Sequence, residues 1–75
     1  MEQYKNLNGN SGVTCYETGA DFIRVQFRNG RVYLYDYASA GEQHVERMKT
    51  LASAGRGLAT YISQHVHEAY ARKDP

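Results

Sequence analysis

"FRNGRVYLYDY", residues 27–37, carries three tyrosines at alternate positions behind an Asn-Gly pair flanked by arginines. Just upstream, "FIRVQFR" (22–28) alternates, with Ile23, Val25 and Phe27 on one side and Arg24, Gln26 and Arg28 on the other. Asn-Gly between two such runs is a strong hairpin signal, because both residues tolerate positive φ. Two registers are open. A two-residue turn pairs Val25 with Leu34 and puts Ile23, Val25, Phe27, Val32 and Leu34 in the core. Arg24, Gln26, Arg28, Arg31, Tyr33, Tyr35 and Tyr37 then share a basic, aromatic outer face. A three-residue loop with Gly30 as the bulge residue shifts the parity by one. Val25 then pairs with Tyr33 and Ile23 with Tyr35, the rings turn inward, and Val32 and Leu34 turn out.

Working outward, "VTCYE" (13–17) is a short β-prone run, with Val13 and Cys15 expected on one side and Thr14 and Tyr16 on the other. "NLNGNSG" (6–12) reads as a loop, with Tyr4 and Leu7 before it placed to tether the N-terminus. After Tyr37 the apolar period changes from two to about 3.6. Ser39 and Glu42 fit a capping box, which predicts a helix starting near Ala40 with Val45, Met48, Leu51 and Ala52 on its apolar stripe. Gly55 is its expected stop. "GRG" (55–57) opens a second helix with a stripe of Leu58, Ile62, Val66 and Ala69, fraying through "ARKDP", where Lys and Arg suit the helix dipole. The order βββαα predicts an α+β fold, a three-stranded antiparallel meander followed by two helices packed on one face. Residues 1–75 make one domain, with a loop-like lead-in over 1–11 and a frayed tail over 71–75.

Composition narrows the function. Nine Lys/Arg against eight Asp/Glu give a net charge of +1, so any anion site must come from local clustering. A single cysteine excludes an intrachain disulfide and a Cys-based zinc site, and fits a reduced setting. The first ten residues, "MEQYKNLNGN", hold no apolar stretch, and nothing approaches the roughly 20 apolar residues of a membrane span. The expected location is the cytoplasm, with no membrane partner. In so short a chain, seven tyrosines and two phenylalanines must supply much of the buried area. Association into a homo-oligomer would add to it.

Little of the sequence points to catalysis. His65 and His67 lie nearly opposite on a helix and cannot chelate one ion. A His44/His65 pair across the helices reads as rim histidines satisfied by hydrogen bonds. Cys15 reads as a small buried hydrophobe, not an activated thiol. The carboxylates are scattered. No enzyme, metal or cofactor is expected. Arg24, Arg28 and Arg31 cluster on one hairpin, either as solubilising edge charges or as an anion site. Arg56 in "AGRG" sits near a helix start, which reads either as a phosphate site built from backbone amides or as two glycines shaping a tight inter-helix turn.

The ordered set "IRVQFRNGRVYLYDY" (23–37) and "LASAGRGLATYI" (51–62) resembles the KTSC domain. This short module occurs at the C-terminus of some lysyl-tRNA synthetases and as stand-alone proteins of bacteria and their phages. The resemblance spans roughly residues 11–70. It rests on Ile23, Val25 and Phe27, on Gly30, on Tyr33-x-Tyr35, and on Ser53-x-Gly55 with Ile62 and Tyr70 downstream. "GNSGV" and "MKTLA" are similar to the stand-alone members. Relatives often carry a polar residue between the paired tyrosines, which fits the bulged register. Leu34 departs from that pattern, as Gly57 and Ala59 depart from an aromatic and an Asn. Attachment to a synthetase implies RNA binding. The expected function is thus a small non-enzymatic module for RNA or single-stranded nucleic acid, using Arg24, Arg28, Arg31, Arg56 and Tyr37. The alternatives are a nucleotide or other phosphate-bearing ligand held at a homo-oligomer interface, and a protein-interaction or inhibitor module, phage-encoded in one setting, that docks on a larger protein.

Overall fold

The structure, a computed structural model, describes residues 1–7, 9 and 11–74. Asn8 and Asn10 of the expected loop and Pro75 of the expected tail lie outside the described residues. Five strands form one antiparallel sheet in chain order: β1 (Glu2–Gln3), β2 (Val13–Thr18), β3 (Phe22–Phe27), β4 (Val32–Asp36) and β5 (Arg72–Asp74). The helices are α1 (Tyr37–Ala40), α2 (Glu42–Ala54) and α3 (Leu58–Tyr61), the last running on into a π-helical turn, Ile62–Val66. The α+β class holds. The sheet is wider than a three-stranded meander, because short strands form at both ends, where a loop-like lead-in and a frayed tail are predicted.

The hairpin takes the bulged register. The Gly30 N–H donates to the Phe27 carbonyl at 2.9 Å and the Phe27 N–H to the Arg31 carbonyl at 3.0 Å. Within the loop, only Gly30 has positive φ, at +87°. This is a three-residue loop ending in a left-handed glycine. Ile23 pairs with Tyr35 and Val25 with Tyr33. Tyr35 is 1% exposed and joins Ile23, Val25, Val45, Met48 and Leu58 in the core between sheet and helices. Val32 and Leu34 lie half-buried on the other side. The basic, aromatic outer face of the two-residue register does not form, because one extra loop residue turns every β4 side chain over.

A second irregularity corrects the reading of β2. Val13 pairs with Phe27 but Cys15 pairs with Gln26, so Thr14 is the extra residue of a bulge and its hydroxyl donates to the Gln26 carbonyl. Val13 and Tyr16, not Val13 and Cys15, share the buried side. Cys15 is half-buried opposite Gln26 and Gln3.

The helix boundaries also shift. Asp36, not Ser39, is the first cap. Its carboxylate accepts from the Ser39 N–H at 2.8 Å, and the Ser39 hydroxyl accepts from the Asp36 N–H at 3.1 Å. That helix lasts one turn before Gly41, at φ +94°, redirects the chain into α2. Gly55 ends α2 in the left-handed conformation, as its place in the sequence predicts. The N-terminal segment crosses this turn closely: the Leu7 N–H donates to the Gly55 carbonyl, and a Cβ on Gly55 would lie 2.6 Å from that of Lys5. Tyr4 is the actual tether, 3% exposed with its hydroxyl accepting from the Leu58 N–H, while Leu7 is exposed. The last helix stops near Val66. The Ala71 N–H then donates to the Leu34 carbonyl at 2.7 Å and leads into β5, so Arg72 and Lys73 serve a strand and not a helix end.

Candidate functional site

Inward-turned tyrosines do not all vanish into the core. A groove of about 500 Å³ opens between the hairpin tip and the last helix. Tyr35 and Ile62, both buried, form its floor, and the half-buried rings of Phe27, Tyr33 and Tyr70 form an aromatic wall. Strand alternation sets the first two, since Phe27 and Tyr33 follow Val25 and precede Tyr35 on the helix-facing side. Tyr33 meets Phe27 edge-on at 5.3 Å between centroids and Tyr70 at 5.1 Å. Such edge-to-face contacts, together with the near-parallel Tyr33 and Tyr35 rings 6.5 Å apart, fix the ring positions. Opposite stands Ser63, on the π-helical turn, a rare geometry that is frequent at functional sites.

The rim is polar, with Asn29, His67, Glu68 and Lys73. In β5, Arg72 and Asp74 face away from the groove and pair with each other at 2.9 Å, so alternation turns Lys73 inward. Its ammonium lies 5.9 Å from the Tyr33 centroid and 6.0 Å from that of Tyr70. Burial, with Tyr33 and Tyr70 adding to it, pushes the Tyr35 phenol well above its ordinary value, so the floor stays neutral.

Of the residues expected to bind anions, Arg28 and Arg31 are brought together at the hairpin turn. They are exposed on either side of Asn29-Gly30 and form no ion pair among the described residues. Arg24 lies on the opposite face of the sheet and is paired to Glu17 at 3.0 Å. Arg56 is exposed in the turn between α2 and α3, away from the groove lining. Tyr37 starts α1, and its hydroxyl donates to Glu46 at 2.6 Å and lies 3.2 Å from the Ala20 carbonyl. That hydrogen bond pushes its phenol up to about 12, and Lys49 and Tyr37 together hold the Glu46 carboxyl below its usual value. Tyr37 is thus a strut between sheet and helix.

The open sheet face makes a poorer anion site. Its shallow depression, about 340 Å³, is lined by two arginines and three aspartates, Asp21, Asp36 and Asp74. Both arginines are already paired, to Glu17 and Asp74.

Phe27, Tyr33, Tyr70 and Lys73 are not among the binding residues that the sequence predicts. Phe27, Tyr33 and Tyr70 do appear in the KTSC-like pattern, which is the signal that marks them. Lys73 carries none, because it falls in the expected tail. Elsewhere, His44 Nδ1 lies 2.7 Å from the Tyr61 hydroxyl, and the His65 ring lies 4.4 Å from that of Tyr61, tilted by 36°. Among the described residues no group of three or more His, Cys, Asp or Glu side chains is placed to hold a metal ion. Among them also, no helix is long and apolar enough to cross a membrane. Compared with known proteins, the chain matches no family model, no curated protein and no solved structure, so the KTSC resemblance rests on its motif residues alone.

Proposed function

We propose that the chain is a KTSC-like, non-enzymatic module that binds a short stretch of single-stranded RNA. One base enters the aromatic groove, and the flanking phosphates lie along the hairpin tip. Binding of this kind needs ring faces for bases and cations for the backbone. The observation that carries the reading is that Asn29 lines the groove while Arg28 and Arg31, exposed on either side of Asn29-Gly30 in the chain, have no carboxylate partner among the described residues. With Lys73 against Glu68, the groove and tip sum to a local charge of +2, although the whole chain reaches only +1. The KTSC resemblance favours RNA as the strand.

The test is fluorescence anisotropy with a labelled RNA of about eight nucleotides, a length within the usual site sizes, over a salt series. Retention at low salt that weakens as salt rises is expected. Replacing both Arg28→Gln and Arg31→Gln should flatten the log–log salt slope by about 1.4, two phosphates at about 0.7 each. No retention at low salt, or a slope the double variant leaves unchanged, contradicts the proposal.

A further inference from the structure

The groove rim carries two opposite charges that do not satisfy each other. Glu68 and Lys73 both line it, yet they form no ion pair within 4.0 Å. Lys73 is instead held against the Tyr33 and Tyr70 rings. A carboxylate only accepts hydrogen bonds and an ammonium only donates them. Both line one slot whose floor is the buried Tyr35 and Ile62.

We infer that this slot selects guanine, an inference that rests on the RNA-binding reading above. Guanine presents two parallel donors, N1–H and N2–H, which a carboxylate takes with both oxygens. Its other edge presents O6 and N7, acceptors for an ammonium. Cytosine and adenine offer a carboxylate one exocyclic amine each. Uracil offers a single N–H flanked by two carbonyl oxygens, which a carboxylate repels. Glu68 accepts from the Watson–Crick edge and Lys73 donates to the O6/N7 side. The base stacks on one ring of the aromatic wall, since neighbouring rings there stand edge-on to each other. The same chemistry could be supplied by a free guanine nucleotide or by a guanine within a strand.

The experiment compares three uridine octamers, with guanine, inosine or uridine at one central position, against the wild type and Glu68→Gln, and adds guanosine monophosphate as competitor. Inosine keeps O6, N7 and N1–H but lacks the N2 amine. The guanine octamer should bind about tenfold more tightly than all-uridine, with inosine between them. Glu68→Gln should bring the guanine and inosine octamers to the same affinity. Competition by the mononucleotide supports guanine reading with the free nucleotide as a sufficient source. Its absence, with the octamer preference intact, supports reading within a strand. Equal, salt-sensitive affinity for all three octamers overturns guanine selection while leaving RNA binding standing. Failure of every octamer to bind overturns both.

Discussion

Tyr35 sits at the centre of the sheet with 1% of its surface exposed, one strand position from the half-buried Leu34 on the opposite side. Burying a tyrosine removes roughly 150–250 Å² from water, so this ring anchors a core short of large aliphatics. Tyr35→Ala is expected to cost on the order of 3–5 kcal/mol, as for other buried aromatics. Leu34→Ala should cost about 1 kcal/mol or less. Urea midpoints of the two variants check the order, and the two-residue register would reverse it. The tyrosines also set the alkaline limit. The folded Tyr35 and Tyr37 phenols lie above the ordinary value of 10.0. Their contribution is therefore complete below pH 10 and is lost as pH rises through the raised values. Thermal melts should hold steady up to about pH 10 and fall beyond it. Tyr35→Phe should fall less steeply, and an unchanged alkaline slope in that variant would contradict the burial argument.

Among the elements, Gly30 and Gly55 both carry positive φ but in different surroundings. A Cβ on Gly30, at φ +87°, would meet nothing within 4 Å. Gly30→Ala should then cost only the conformational term, about 1–2 kcal/mol. Gly55, at φ +78°, would also drive its Cβ to 2.6 Å from that of Lys5, so Gly55→Ala should be the more damaging. Chemical denaturation of both ranks them. The same elements show what a lone chain makes legible. Asn29-Gly30 announces a hairpin but fits either loop length, and Leu34 is apolar enough to fit either face. The KTSC-like Tyr33-x-Tyr35 pattern leaned toward the register that forms. The bulge at Thr14 left no trace, because "VTCYE" alternates plausibly as a regular strand. Strand β5 was hidden by its residues, since Arg72, Lys73 and Asp74 are what a short edge strand wears against aggregation and also what a frayed tail contains. The π-helical turn keeps an apolar stripe that a regular helix would also show, with Leu58, Ile62 and Val66 all buried.

For the whole molecule, the near-neutral total conceals an uneven arrangement. One side of the sheet pairs its arginines with carboxylates. The hairpin tip and the Lys73 strand leave cations beside open rings. Half of that site was within reach of the sequence, through Arg28 and Arg31. The other half needed β5 to bring Lys73 and Tyr70 back to the hairpin, a long-range pairing that no local pattern encodes. Single-stranded RNA is proposed to bind on the helix-facing side, at this groove. Backbone and side-chain NMR shifts followed during titration with the guanine-containing octamer test it most directly. Shifts should concentrate at Phe27, Arg28, Arg31, Tyr33, Tyr70 and Lys73 and leave Cys15, Arg24 and Leu34 in place. Shifts centred on Arg24 and Leu34, or none at low salt, would contradict the account.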